Sequence, residues 1–195
     1  MNRLKLPVFG VDIGGVLIRR CDDDKDTSFF GTNYLKTPEV EGGFEVIRKL
    51  NDCGVTIHLV SKCGANTQAK TLEWLDYHEF YARTGTLREN IHFCRERHQK
   101  AGICKSISAS HFVDDRLEIL SYLDTVPHRY LINSVEQEVS RYRRALNMVS
   151  VVEDWMDLKR LFDQSLAQVF SADSWSEFKE QVSDVVLVTD ITYQN

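Results

Sequence analysis

The stretch Val8-Phe9-Gly10-Val11-Asp12-Ile13-Gly14-Gly15-Val16-Leu17 decides how the rest of the chain is read. An apolar run of strand length ends abruptly in one carboxylate, and two glycines follow it. So short and so apolar a run fits a strand covered on both faces. The glycines let the backbone N–H groups of Ile13, Gly14 and Gly15 approach a bound anion closely. Asp12, at the strand end, is placed to attack phosphorus or to bind a metal. The structural alternative is an Asp that caps the next turn.

Outward from this segment the same grammar recurs. A helical pattern over Phe44 to Asp52, closed by Gly54, leads to an apolar strand at Val55 to Val60 and a second helix at Thr67 to Tyr77. Further short strands are expected at Ile91 to Phe93, His111 to Val113, Tyr130 to Ile132 and Val149 to Val152. Helices at Ala101 to Ile107, Leu117 to Leu123 and Val135 to Leu146 separate them. The alternation predicts an α/β fold: a Rossmann-like parallel sheet between two layers of helices. Ligands of such sheets bind beyond the carboxyl ends of the strands, which here are Asp12, Ser61 and Asp114-Asp115.

Composition bounds the possibilities. A chain of 195 residues fits one domain, taken here as a core over 1–165 with an extension of the same domain over 166–195. Its net charge of -5 argues against a surface adapted throughout to polyanions, which makes nucleic acid a secondary partner. Five cysteines without CxxC spacing fit a reducing compartment, and the absence of a membrane-length apolar run fits a soluble protein, so a cytoplasmic location is expected. Residues 19–43 make a long connection with Asp22, Asp23, Asp24 and Asp26 followed by Phe29, Phe30 and Tyr34. They read either as a small lid or as a solvated acidic loop pinned by aromatics. Beyond residue 166, a capping-box pattern at Ser174 to Glu177 and an edge strand at Val185 to Val188 are expected.

Three more segments carry chemistry. Ile57-His58-Leu59-Val60-Ser61-Lys62 ends a buried strand in a hydroxyl and an amine, donors suited to a phosphate. The alternative is a serine opening the turn before the next helix. In Ser110-His111-Phe112-Val113-Asp114-Asp115-Arg116 two adjacent carboxylates end a strand, a crowding that a cation relieves. A hard ion such as Mg2+ suits carboxylates drawn from two strands. The alternative makes one of the pair the cap of the Leu117 helix, with Arg116 as its ion-pair partner. Finally, the basic run Arg95-Glu96-Arg97-His98-Gln99-Lys100 offers a lysine to neutralise phosphoryl oxygens. Lys100 is the first choice, Lys105 the reserve, and a surface lysine the alternative.

Taken in order, Asp12, Ser61, a lysine and Asp114-Asp115, each at the end of a strand or the start of a helix, resemble the four-motif pattern of the haloacid dehalogenase-like hydrolases over Val8 to Arg116. The resemblance implies a minimal-cap phosphatase with an aspartyl-phosphate formed on Asp12 and the phosphoryl group held by Ser61 and Lys100. Magnesium would be bound by Asp12, Asp114, Asp115 and the Gly14 carbonyl. Phosphatases of this class place a second aspartate two residues after the nucleophile as general acid and base; Gly14 stands there. The resemblance therefore implies slow turnover unless His98, His111 or a lid carboxylate such as Asp24 substitutes, with acyl and anomeric phosphates suffering least.

The leading expectation is a magnesium-dependent phosphohydrolase acting on a small phosphorylated metabolite. Two others stand beside it. The Asp-Asp-Arg ending near Arg95, Arg97 and Lys100 resembles the phosphatase module of polynucleotide end-repair enzymes, and Gly14 would also suit a phosphate-binding protein that has lost turnover.

Overall fold

A computed structural model describes residues 6–21 and 28–169. The acidic run at 22–26, the capping-box pattern at 174–177 and the strand expected at 185–188 lie outside the described residues. In chain order the main elements are β1 (Val8–Val11), α1 (Gly43–Asp52), β2 (Thr56–Lys62), α2 (Ala65–Tyr77), α3 (Phe80–Thr84), β3 (Ile91–Cys94), α4 (Gln99–Ser106), β4 (His111–Asp114), α5 (Leu117–Tyr122), β5 (His128–Leu131), α6 (Glu136–Arg141), β6 (Ser150–Val151) and α7 (Trp155–Val169).

The six strands form one parallel sheet in the order β3-β2-β1-β4-β5-β6. The expected α/β architecture with both faces covered is what the chain adopts. Alternate strand residues supply two separate cores. Phe9, Val11, Leu59, Val113 and Tyr130 pack with Phe44, Trp74, Trp155 and Phe162 on one face. Val60, Phe112 and Leu131 pack with Cys104, Leu117 and Leu120 on the other. Gly10 serves the contact between β1 and β4, since a Cβ there would lie 2.3 Å from the Phe112 ring.

Register sets the site. Val11 pairs with Leu59 on one side and Val113 on the other, and the Asp12 N–H donates to the Val113 carbonyl at 3.0 Å. The carboxyl ends of β1, β2 and β4 thus finish at one rim, with Asp12 beside Asp114.

Two local expectations need correction. The span Val135 to Leu146 is α6 followed by a separate 3-10 turn, Arg143–Met148, rather than one helix. No α6 residue is buried, so no apolar stripe sustains a longer helix. The short α3 was not anticipated; it restarts from a left-handed Glu79 directly after α2 and is too brief to show a periodic pattern.

The excursion over 19–43 has a closed neck. Ile18 pairs antiparallel with Glu39, and the Val40 N–H donates to the Leu17 carbonyl at 2.7 Å. Its described part docks on α2, where Trp74 and His78 reach the carbonyls of Thr37 and Leu35, both at 2.8 Å, and Lys70 lies over the Tyr34 ring. Residues 28–37 are therefore a packed lid rather than a solvated loop.

Candidate active site

Asp12, Asp114 and Asp115 each bring a carboxylate oxygen within 4.8 Å of the other two, and all three side chains are buried. Such crowding of like charge is costly without a cation. Lys100, completely buried near the start of α4, supplies one: its Nζ donates to Asp12 Oδ1 at 2.5 Å and to Asp114 Oδ2 at 2.8 Å. Burial alone would disfavour the ammonium, but Asp114 and Asp12 outweigh it and hold Lys100 protonated above its ordinary range. Lys105, the reserve, points away to a cavity at the opposite rim.

Asp115 is paired with Arg20, a residue the sequence reading did not single out. The available signal was slight: two arginines open the lid just after the strand that ends in Asp12. Burial, followed by repulsion from Asp12 and Asp114, pushes the Asp115 carboxyl up to about 8 despite Arg20 and Arg116. Arg20 is 41% exposed, so water shares its charge and the pairing does not overcome burial beside two other acids. Asp114 is pushed up to about 6, again chiefly by burial, with Lys100 opposing. Carboxyls held above their ordinary range at one point mark a place where a divalent cation would be welcome.

The alternatives weighed for these acids fail on geometry. The Asp12 carboxylate is engaged by Lys100 rather than capping a turn. The N–H groups of Leu117 and Glu118 at the start of α5 are satisfied by Glu138 from α6, at 3.0 and 2.8 Å, and Arg116 is the N-cap residue; Asp114 contributes to the helix entry only by accepting the Arg116 N–H through Oδ1 at 2.9 Å. Ser61 lies within β2, before the Gly64 that precedes α2, so it opens no turn; its hydroxyl has no protein partner among the described residues.

The glycine turn is tighter than expected. Gly15 has φ +81°, and a Cβ there would meet Asp115 Oδ2 at 2.1 Å, which confines the position to glycine. Its N–H, one of the three expected anion donors, is committed to the Ile18 carbonyl at 2.8 Å. The bridge between Gly14 and Ile18 runs through the Ile13 carbonyl and the Gly15 N–H, so the Gly14 N–H and carbonyl take no part in it. Ile13 is buried, and its carbonyl accepts the N–H groups of Leu17 and Ile18, both at 2.9 Å.

Asp12, Ile13, Gly14, Gly15, Ser61, Lys62, Lys100 and Asp115 line one cleft of about 550 Å3, roofed by Ser28, Phe29 and Phe30 of the lid. Asp114 sits behind it, fully buried. Two candidate proton donors are not there. His111 is the first residue of β4 and is packed at the opposite rim between Ser110 and Ser165, and His98 is not among the residues lining the cleft. Asp24 lies outside the described residues. Arg95 is used structurally, holding the Cys63 carbonyl at 2.6 Å. Burial raises the thiols of Cys63 and Cys94, which makes them poor nucleophiles.

No protein-family model matches the chain, and no curated protein does. Solved structures do. D,D-heptose 1,7-bisphosphate phosphatase from B. bronchiseptica, in complex with magnesium and phosphate, superimposes with a TM-score of 0.57 over 82% of this chain and 99% of its own at 15% identity. The fold is that of the haloacid dehalogenase-like hydrolases. A hydrolase of that type from Burkholderia xenovorans LB400 gives the same TM-score at 13% identity, covering 83% of this chain and 98% of its own. Both are matched over nearly their whole length, so the haloacid dehalogenase-like fold accounts for the bulk of the described residues. Among those residues no helix is long and apolar enough to cross a membrane, and all five cysteines are unpaired.

Proposed function

We propose that the protein is a magnesium-dependent phosphohydrolase that transfers the phosphoryl group of a small phosphorylated metabolite to Asp12 and then to water. The observation that carries this reading is the convergence of Asp12, Asp114 and Asp115 on one point in an open cleft, with a buried lysine between two of them.

The donor set fits the ion. Three oxygen ligands lie close enough to share one cation, and the Gly14 carbonyl, outside the bridge with Ile18, is a fourth candidate. When bound, magnesium shields the charge that otherwise keeps an anionic nucleophile from a phosphate dianion. The chain's own groups do the rest. Lys100 fixes Asp12 through Oδ1, which leaves Oδ2 without a protein partner among the described residues and available to attack phosphorus. Ser61, Lys62 and the N–H groups of Ile13 and Gly14, which belong to residues lining the same cleft, would hold the phosphoryl oxygens. The bond from Oδ2 to phosphorus forms as the ester bond breaks, and water later attacks the aspartyl-phosphate. No side chain among the described cleft residues stands where the resemblance places the general acid, so the leaving group departs with little help.

The test is phosphate release from acetyl phosphate, p-nitrophenyl phosphate and a panel of sugar and nucleoside monophosphates, with magnesium and with chelator. Release is expected to need magnesium, to be fastest for the acyl phosphate, and to fall at least about 10³-fold in Asp12→Asn. Release that survives Asp12→Asn would remove the nucleophile.

A further inference from the structure

Next to the cleft lies a second compartment of about 440 Å3, which shares Arg20, Arg97, Asp115 and Arg116 with it and whose remaining walls include Glu118, Glu138, Arg141 and Tyr142. The charge in this compartment is unevenly matched. Both glutamates are occupied: Glu138 accepts two N–H groups of α5, and Glu118 accepts Arg97 at 2.5 Å and the Tyr122 hydroxyl at 2.8 Å. Among the described residues the exposed Arg141 guanidinium makes no ion pair or hydrogen bond, and that of Arg116, half-buried, makes no hydrogen bond and acts on Asp115 through its charge alone. Around this compartment Arg20, Arg97, Arg116 and Arg141 stand against Asp115, Glu118 and Glu138, so one positive charge is left over. A chain of net charge -5 has gathered that surplus at one edge of its site.

Guanidinium is the side chain best shaped for phosphate, because its planar fork donates two parallel hydrogen bonds and keeps its charge at any working pH. We propose that the second compartment binds a second phosphate group of the substrate, through Arg116 and Arg141 with Arg97 behind them, so that the preferred substrates are small organic bisphosphates. The proposal rests on the phosphohydrolase reading for its first phosphate. The compartment shares four lining residues with the cleft, so the two phosphates of one small molecule would lie on either side of Asp115, one at Asp12 and the other on the arginines.

Two measurements separate this proposal from the reading it rests on. In the first, kcat/KM is compared for glucose 1,6-bisphosphate against glucose 1-phosphate, and for adenosine 3′,5′-bisphosphate against adenosine 5′-monophosphate. A preference of about 10- to 100-fold for the bisphosphate, residing in KM, is expected from one or two charge-assisted contacts. In Arg116→Gln and in Arg141→Gln the ratio should drop toward one. Arg141 is exposed, so its replacement leaves the fold intact whatever happens at Arg116. In the second, the same compounds are titrated into Asp12→Asn protein with magnesium by calorimetry. Preferential binding of bisphosphate there, with no turnover by the wild type, would uphold the second site while the hydrolase reading fails. Equal affinity for mono- and bisphosphates would overturn the proposal. So would a preference confined to 3′-phosphorylated oligonucleotides, which would assign the arginines to a phosphodiester backbone.

Discussion

At Gly14 the chain has room it does not use. A Cβ there meets nothing within 4 Å, and the residue is not among the glycines with positive φ, so neither space nor backbone requires glycine. Gly15 next to it is the opposite case, confined by Asp115 and by its own φ. The missing acid at position 14 is thus a chemical choice rather than a steric one. Gly14→Asp is expected to fold normally and to accelerate hydrolysis of alkyl phosphates by roughly 10²-fold or more, with little effect on acetyl phosphate, whose leaving group needs no proton. Steady-state rates on the two substrates check this, and equal acceleration of both would show that the new carboxyl acts in some other way. The raised Asp115 carboxyl leads to a second expectation. A cation binds the ionised form, so below about pH 8 binding must expel a proton, and affinity should fall as pH is lowered, by up to about tenfold per unit. Calorimetric titration of magnesium in buffers of different ionisation enthalpy reads that proton directly; a pH-independent affinity would show that Asp115 is already ionised.

Among the elements, α7 secures the glycine turn although it lies about 140 residues away in sequence. Its first residue, Trp155, is fully buried, donates from Nε1 to the Val16 carbonyl at 3.1 Å, and packs against Gly43 at the start of α1. Trp155→Ala should cost about 3–5 kcal/mol of stability, measured by urea unfolding, and should weaken magnesium binding because the turn that carries Asp12 loses its anchor. Unchanged metal affinity in the surviving folded fraction would confine the role of α7 to stability. The strand ends were readable in advance because an apolar run stopping at a charged residue is a local pattern: Asp12, Ser61 and the Asp114-Asp115 pair all lie where β1, β2 and β4 finish. Lys100 was readable only as the opener of a helix before the last of these strands. The pairings of Arg20 with Asp115, of Glu138 with the start of α5 and of Trp155 with Val16 were not readable, since each joins segments with no shared local pattern and exists only once the sheet has brought them together.

Over the whole molecule, the two rims of the sheet respond to acid in opposite directions. His111 is sealed between Ser110 and Ser165 and stacked on His128, with ring centroids 4.5 Å apart. Burial, with His128 adding to it, pushes its imidazole down to about 3. Between there and about 6.5 the unfolded chain binds a proton that the native chain refuses, so this residue's contribution is whole above pH 6.5 and is lost as pH falls. Asp114 and Asp115, raised rather than lowered, act with the contrary slope when no metal is bound. The two are separated by comparison: with magnesium saturating, the urea midpoint of His111→Gln relative to wild type should climb as pH goes from 6.5 toward 4, at most by the equivalent of about 1.4 kcal/mol per unit. A flat difference would mean that His111 is protonated in the native state.

The strand order also has a consequence for synthesis. β1 is made first, yet it lies between β2 and β4, and the second of these partners is about 100 residues downstream. A nascent chain on the ribosome can zip β1 to β2 early, but the other flank of β1 stays open until residues 111–114 have left the exit tunnel. Any message truncated before that point yields a polypeptide with a bare, apolar strand edge at Phe9 and Val11, the kind of surface that quality-control proteases and chaperones seize.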